Sequence, residues 1–457
     1  MRLGRAFLRD IIASVATAGQ GLLGRRMEDP PDQDIRELSL ALLRTKGEAS
    51  VVTLARRTLD AFVRLDAEGR DAFFEFLRTD LGAEPVALDA ALESYRTTPG
   101  PETAAVLAAA AEPRRQELLS LMNTAPDGTR DILAMRVALL DALPRRPEFK
   151  LVDDDFVHML RSWFNRGFLD LHRIDWRTPA LVLEKIIAYE AVHQILDWED
   201  LRRRLEADRR CFGFFHPSLP DEPLIFVEVA LCKGLAGSVT DLLFGEVEPD
   251  VDADTAIFYS ISNCQRGLTG VSFGNFLIKQ VVRELAAESP KLRTFATLSP
   301  VPGLRKWLIR EAQEERLPVG PGDGSPDLGG VETADWPADR VPGKQLREEV
   351  SRLCAHYLLH AKRGDHPLDP VARFHLRNGA RLDRIHWNSD PSPTGLRQSA
   401  GMMVNYVYDE ETVVANHEAY VNEGRVAHSR AVAALAGAAV EKGRGAARRP
   451  RDPVRES

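Results

Sequence analysis

The chain has 457 residues, 44% hydrophobic and 28% charged, and its 60 basic side chains stand against 68 acidic ones for a net charge of −8. That length predicts two or three domains with a sizeable core, and the composition excludes a disordered or fibrous chain. An acidic balance argues against a protein held to nucleic acid by phosphate contacts, and no run approaches the roughly 18 apolar residues of a membrane span, so neither nucleic acid nor membrane is expected as a partner.

In chain order, residues 1–33 read as an N-terminal extension. It is Arg-rich and amphipathic as far as Arg26, in the manner of an organellar presequence, but Asp10 interrupts it and no signal-peptide cleavage pattern follows. Residues 34–208 read as an all-α helical bundle, a scaffold or oligomer interface. Leu38, Leu40, Leu42 and Leu43 open it, and Phe73, Phe74, Phe76 and Leu77 continue at helical spacing. Breaks at Thr98–Pro101, Ala125–Gly128 and Leu143–Pro147 leave pieces of about ten to twenty residues, the lengths of an antiparallel bundle.

The pattern changes at Arg209. Leu224–Leu231 and Ala256–Ser262 are β-type runs, a helix with Phe273, Leu277, Val281 and Leu285 at every fourth position follows, and Arg293–Ser299 is a further strand. Leu382–Trp387 and Met402–Tyr408 are later strands, and residues 317–344, crowded with Gly, Pro and Asp, form a surface loop or insertion. Residues 209–425 therefore read as an α/β domain with helical insertions, and 426–457 as a C-terminal helix and a basic, disordered tail. The 4 cysteines, Cys211, Cys232, Cys264 and Cys354, have neither CxxC spacing nor a paired framework, which points to a reducing compartment. The final Val454–Ser457 is not a peroxisomal address, so the cytoplasm is the expected location. Cys354, His356 and His360 come nearest to a metal-ligand set, but His356 lacks the adjoining glutamate of a zinc-binding helix and no metal is expected.

Chemistry concentrates between Ala256 and Ser299. Strand, glycine-containing turn, helix and strand make a right-handed crossover with two parallel strands. In the turn Gln265-Arg266-Gly267-Leu268-Thr269-Gly270-Val271, glycines let backbone amides approach a phosphate, a helix starting nearby favours an anion, and Arg266 offers an ion pair. The spacing fits neither the Walker nor the dinucleotide fingerprint, and a plain tight turn is an equal reading. Ser299 ends the second strand just before Pro300-Val301-Pro302-Gly303, on the edge where ligands of open α/β sheets gather. A serine that starts a turn ahead of proline is the competing reading. His375, in Phe374-His375-Leu376-Arg377-Asn378-Gly379-Ala380, is either a satisfied core histidine or a proton donor, placed in a connection that enters the strand at Leu382.

Taken in order, His216–Leu224, Phe258–Ser262 with Gln265–Val271, Phe276–Lys279, Leu298–Gly303, Phe374–Ala380 and Asn405–Tyr408 resemble the malonyl-CoA decarboxylase family, over a stretch from about residue 40 to residue 425. The resemblance implies a helical N-terminal domain followed by a GNAT-type, acyltransferase-like catalytic domain. It implies conversion of malonyl-CoA to acetyl-CoA and carbon dioxide with neither metal nor organic cofactor. By the same resemblance Ser299 and His375 are catalytic, Tyr408 belongs to the site, and Gln265, Arg266, Gly267, Leu268, Thr269, Gly270 and Val271 contact CoA. Assembly through the helical domain as a homo-oligomer, a tetramer or a dimer, is also implied.

The chemistry suits these residues. The thioester carbonyl accepts the electrons that departing carbon dioxide leaves behind, so the substrate supplies its own electron sink. Ser299 can orient the carboxylate without the ground-state stabilisation that an arginine clamp would add. His375, as its imidazolium, would protonate C2. Ser299 suits a hydrolase nucleophile less well, because Leu298 and Pro300 stand where a nucleophile elbow has its flanking residues. GNAT-type acyl transfer to an amine and non-catalytic acyl-CoA sensing are the two alternative activities.

Overall fold

The computed structural model describes residues 34–247, 252–271, 276–318, 328, 331 and 344–437. The extension 1–33, Phe273 of the expected helix, most of the 317–344 loop and the tail beyond Gly437 lie outside the described residues. Packing divides the chain into two compact units. The first runs to Leu169 and includes His216–Pro220 and Gln265–Ser272; the second holds the remainder.

This division differs from the expected boundary at residue 208. Strand β1 (Asp170–Ile174) pairs antiparallel with β2 (Arg209–Phe215), so Asp170–Phe215 belongs with the sheet-containing unit. β1 is mostly exposed, and its Asp-Leu-His-Arg-Ile sequence carries no apolar run by which to recognise a strand.

The first unit is built from helices α1 (Ile35–Arg44), α2 (Glu48–Arg64), α3 (Ala67–Thr79), α4 (Pro85–Thr97), α5 (Pro101–Ala111), α6 (Arg114–Met122), α7 (Gly128–Ala142) and α8 (Lys150–Trp163). Their starts are written in the sequence. Asp34 and Asp66 accept backbone N–H bonds at the heads of α1 and α3, Glu84 does so for α4, and Pro85 and Pro101 occupy first-turn positions where no N–H is needed. The core gathers Leu42, Leu59, Leu77, Leu118, Met135 and Phe156 around an aromatic cluster of Phe62, Phe73, Phe74, Phe76 and Phe149. Helices α4 and α5 contribute little to it: α4 buries Ala91 alone and α5 buries nothing.

The second unit is centred on an eight-stranded sheet, ordered β1–β2–β3 (Ile225–Cys232)–β4 (Thr255–Asn263)–β5 (Thr294–Thr297)–β10 (Met403–Tyr408)–β6 (Ser299–Pro300), with β9 (Arg381–His386) also on β10; β7 (Lys362–Arg363) and β8 (His366–Pro367) pair apart from it. Strands β3 (Ile225–Cys232) and β4 (Thr255–Asn263) are the expected apolar runs, antiparallel to one another. Helix α9 (Phe276–Glu288) crosses from β4 to β5 (Thr294–Thr297), which lies parallel to β4 as expected. The strand expected over Arg293–Ser299 is interrupted at Leu298: β5 stays beside β4, while β6 (Ser299–Pro300) pairs only with β10 (Met403–Tyr408). The β4–β5 ladder stops at Phe258 and Thr297, whereas β4 continues to Asn263 on β3. Between Glu228 and Val229 of β3 the register slips past Tyr259, a bulge that adds twist at the same level. The two parallel strands thus share a base and lose their ladder beyond Phe258 and Thr297.

Candidate active site

Ser299 pairs with Val404 across β6 and β10, and strand alternation puts Tyr406 and Tyr408 on that same sheet face. A short helix, α10 (Pro370–Arg377), brings His375 onto it. The connection expected to enter the strand at Leu382 is thus a helix with its own start and stop. Asp369 caps the helix by accepting from Val371 N and Ala372 N, Pro370 takes the first helical position, and Gly379 ends the segment at a φ of +82°. A Cβ on Gly379 would stand 2.0 Å from the Val413 carbonyl oxygen, so only glycine closes this turn.

Four side chains form one hydrogen-bonded row on this face. The Ser299 hydroxyl donates to Thr297 Oγ1 at 2.8 Å, His375 Nε2 lies 3.1 Å from Ser299 Oγ, and His375 Nδ1 lies 2.8 Å from Tyr408 Oη. The imidazole also stacks on Tyr406, ring centres 4.6 Å apart. With the serine proton on Thr297, the direction that satisfies the row has Tyr408 donating to Nδ1 and Nε2–H donating to Ser299.

Burial sets the charge states. His375 is 3% exposed, and desolvation pushes its imidazolium down to about 3. The phenol of Tyr408 is pushed well above its ordinary value by the same cause. Both are therefore neutral near pH 7, and the resting imidazolium expected from the sequence is replaced by a neutral imidazole between two hydroxyls.

Thr297 and Asn405 also belong to this site: Asn405 opens one of the resembling motifs without an assigned role there, and Thr297 lies just outside them. Asn405, fully buried, donates to the carbonyls of Thr297 at 2.9 Å and Ala236 at 3.1 Å, and accepts from His386 Nε2 at 2.6 Å. It fixes the end of β5 from the opposite face. The period of two along Arg293–Ser299 would have made Thr297 a face-mate of Ser299, and an asparagine inside an otherwise apolar strand is the visible sign of Asn405.

The Gln265–Val271 turn belongs to the first unit. Arg266–Leu268 form one 3₁₀ turn, and helix α9 is described from Phe276 onward. Arg266 pairs with Asp141 at 2.5 Å, both well exposed, an ion pair of little net strength that an arriving anion can replace. A residue unnoticed in the sequence, Arg136 of α7, is 1% exposed and reaches the turn: its guanidinium donates to the carbonyls of Gly267 at 2.5 Å and Thr269 at 2.7 Å and pairs with Asp153 at 2.9 Å.

Comparison with known proteins decides the family. The profile of the malonyl-CoA decarboxylase C-terminal domain matches residues 167–445, and that of the N-terminal domain matches residues 81–164. The chain belongs to the malonyl-CoA decarboxylase family. The mitochondrial malonyl-CoA decarboxylase of Anser anser anser is 36% identical over 346 residues, 70% of this chain and 69% of the relative. The solved malonyl-CoA decarboxylase of Agrobacterium vitis is 48% identical with a TM-score of 0.84, covering 89% of this chain and 100% of that one. That of Rhodopseudomonas palustris is 50% identical with a TM-score of 0.78, covering 87% and 98%. As a member of the malonyl-CoA decarboxylase family the protein is a carboxy-lyase, and malonyl-CoA is its substrate. Among the described residues no helix is long and apolar enough to cross a membrane.

Proposed function

We propose that Ser299, His375 and Tyr408 together decarboxylate malonyl-CoA through an enolate, with the imidazole acting in its neutral form. The observation that carries this reading is the unbroken row Thr297–Ser299–His375–Tyr408. The C2–carboxylate bond breaks, carbon dioxide leaves, and the bonding pair moves into the thioester as an enolate. Ser299 orients the departing carboxylate. A neutral hydroxyl avoids the extra stabilisation that a cation would give the localised charge of the ground state.

The enolate carbon of a thioester is a far stronger base than imidazole or phenol, so C2 takes the Nε2 proton without a resting imidazolium. Tyr408 passes its proton to Nδ1 in the same event, which leaves histidine neutral in its other tautomer. The single negative charge that entered as carboxylate is then on Tyr408, whose raised affinity for a proton takes back the one on Nδ1 as water supplies a proton to Nε2, which restores the starting row. One proton is consumed per turnover, and every bond is accounted for. Carboxyl-labelled malonyl-CoA, given without any acceptor, should release its label as carbon dioxide and yield acetyl-CoA. Label kept in the thioester would sink the reading.

A second copy of the chain is the proposed partner, through the α4–α5 pair. Val86 is 76% exposed and Val106 56%, on helices that bury almost nothing within the chain. Isolated helices of this length are marginal in water and depend on a packed face. Val86→Glu with Val106→Glu should lower the molar mass in solution to that of a smaller assembly. An unchanged mass would move the interface elsewhere. The cytoplasm remains the proposed location, and the buried, reduced thiols of Cys211 and Cys354 suit a reducing setting.

A further inference from the structure

We propose that Arg136 is a positioning residue for the substrate, holding the Gln265–Val271 turn in the shape that receives the phosphates of CoA. The inference rests on reading that turn as the CoA-contacting loop, and it gives the helical unit a part in substrate binding besides assembly.

An arginine in the interior of an apolar helix is costly unless its donors are used and its charge is paired. Arg136 meets both conditions. Asp153, itself buried and also paired with Lys150 at 3.2 Å, takes Nε, and the two terminal nitrogens are spent on main-chain oxygens of the turn. A planar guanidinium binds two carbonyls at a fixed separation, which sets their relative orientation as a single flexible ammonium would not.

That orientation has a consequence for anions. In a trans peptide the C=O and the following N–H point opposite ways. With the Thr269 carbonyl drawn onto Arg136, the Gly270 N–H is turned away from α7. Carbonyl oxygens that would repel a phosphate are kept inside, neutralised, and a donor is turned outward. The two glycines divide accordingly. A Cβ on Gly267 would stand 2.7 Å from the Leu133 carbonyl oxygen, so the inner side of the turn is sealed against α7. Gly270 sits at a φ of +80°, and a Cβ there would meet no described atom within 4 Å. Arg161 adds a bond to the Gly270 carbonyl at 3.3 Å.

The test compares malonyl-CoA with malonyl-pantetheine, the same thioester without the nucleotide and its phosphates. In Arg136→Met, KM for malonyl-CoA should rise about tenfold or more with kcat within about twofold of the parent, the signature of lost binding shared by ground and transition states. KM for malonyl-pantetheine should not change. Arg136→Lys, which keeps the charge and one contact, should recover part of the loss. Gly267→Ala leaves Arg136 and Asp153 in place and displaces the turn, so it should reproduce the same selective rise even where Arg136→Met fails to fold. Equal losses on both substrates in every soluble variant, or no loss on either, overturn the positioning role. A parent enzyme that uses both substrates with equal KM overturns the reading of the turn as a CoA contact instead.

Discussion

Turnover in the His375→Asn variant is expected to fall by about 10² to 10⁴-fold, the usual contribution of a positioned proton donor, while acetyl-CoA binds with parental affinity. Asparagine fills part of the space and can still bond Ser299, but it has no proton to exchange between two ring nitrogens. Ser299→Ala should also lower turnover at similar affinity. The two losses should not add, because Ser299 and His375 are consecutive members of one bonded row and either change interrupts it. A double variant as slow as His375→Asn alone supports the row; a fully active Ser299→Ala removes the serine from the chemistry.

The pH profile separates a neutral donor from a cationic one. A standing imidazolium would make kcat/KM decline as pH rises through about 6.5, the ordinary value for histidine. With His375 pushed down to about 3, its neutral form predominates throughout the neutral range, so kcat/KM should be level from about pH 5.5 to 8 on account of this group. Tyr408→Phe keeps the ring and deletes the hydroxyl that refills Nδ1. It should reduce kcat more than it raises KM. A parental decline centred near 6.5 would restore the imidazolium as donor.

Residue patterns revealed the two units unevenly, and the reasons are local. Strands β3 and β4 were legible because both faces of each are buried, leaving apolar runs with few interruptions. β1 was not, because a mostly exposed edge strand has no need of such a run. The helix carrying His375 was taken for a connection because its whole length lies between Pro370 and Gly379, and punctuation that close resembles a turn; the same residues are in fact its start and stop signals. Ser299 and His375 could be singled out by motif, but their 3.1 Å approach depends on Val404 and Tyr406 bringing two distant segments together on β10. Arg136 lay further from view: its acceptors are 131 and 133 residues away, and they are main-chain atoms, which leave no trace in residue type.

Arg204→Met is expected to destabilise the second unit by about 3 to 5 kcal/mol, the cost of taking one partner from a buried ion pair. At roughly 2–4 °C per kcal/mol for a domain of this size class, the melting temperature should drop by about 6 to 20 °C. Arg204 lies in the short helix Trp198–Arg204 and is 1% exposed. Its guanidinium donates to Asp200 at 3.0 Å, to Glu228 at 2.9 Å and to the Gln194 carbonyl at 3.3 Å. Alternation along β3 puts Glu228 on the sheet face opposite Tyr408, so the loss is one of stability and not of chemistry.

Glu228 itself should behave differently. Desolvation pushes its carboxyl up to about 8, and the nearby Glu190 adds repulsion, against the pull of Arg204. The folded state therefore keeps a proton that the unfolded chain gives up near its ordinary value of 4.5. The stability due to this group is full below about 4.5 and declines as pH rises toward about 8, at about 1.4 kcal/mol per pH unit within that window. Glu228→Gln, a neutral isostere that can still accept from Arg204, should cost less than about 1 kcal/mol at pH 7 and flatten that decline. Thermal melts from about pH 5 to 8.5 read both effects. A Glu228→Gln variant as unstable as Arg204→Met would mean that the carboxylate is ionised in the fold and that the pair, not the proton, holds β3 to the helix.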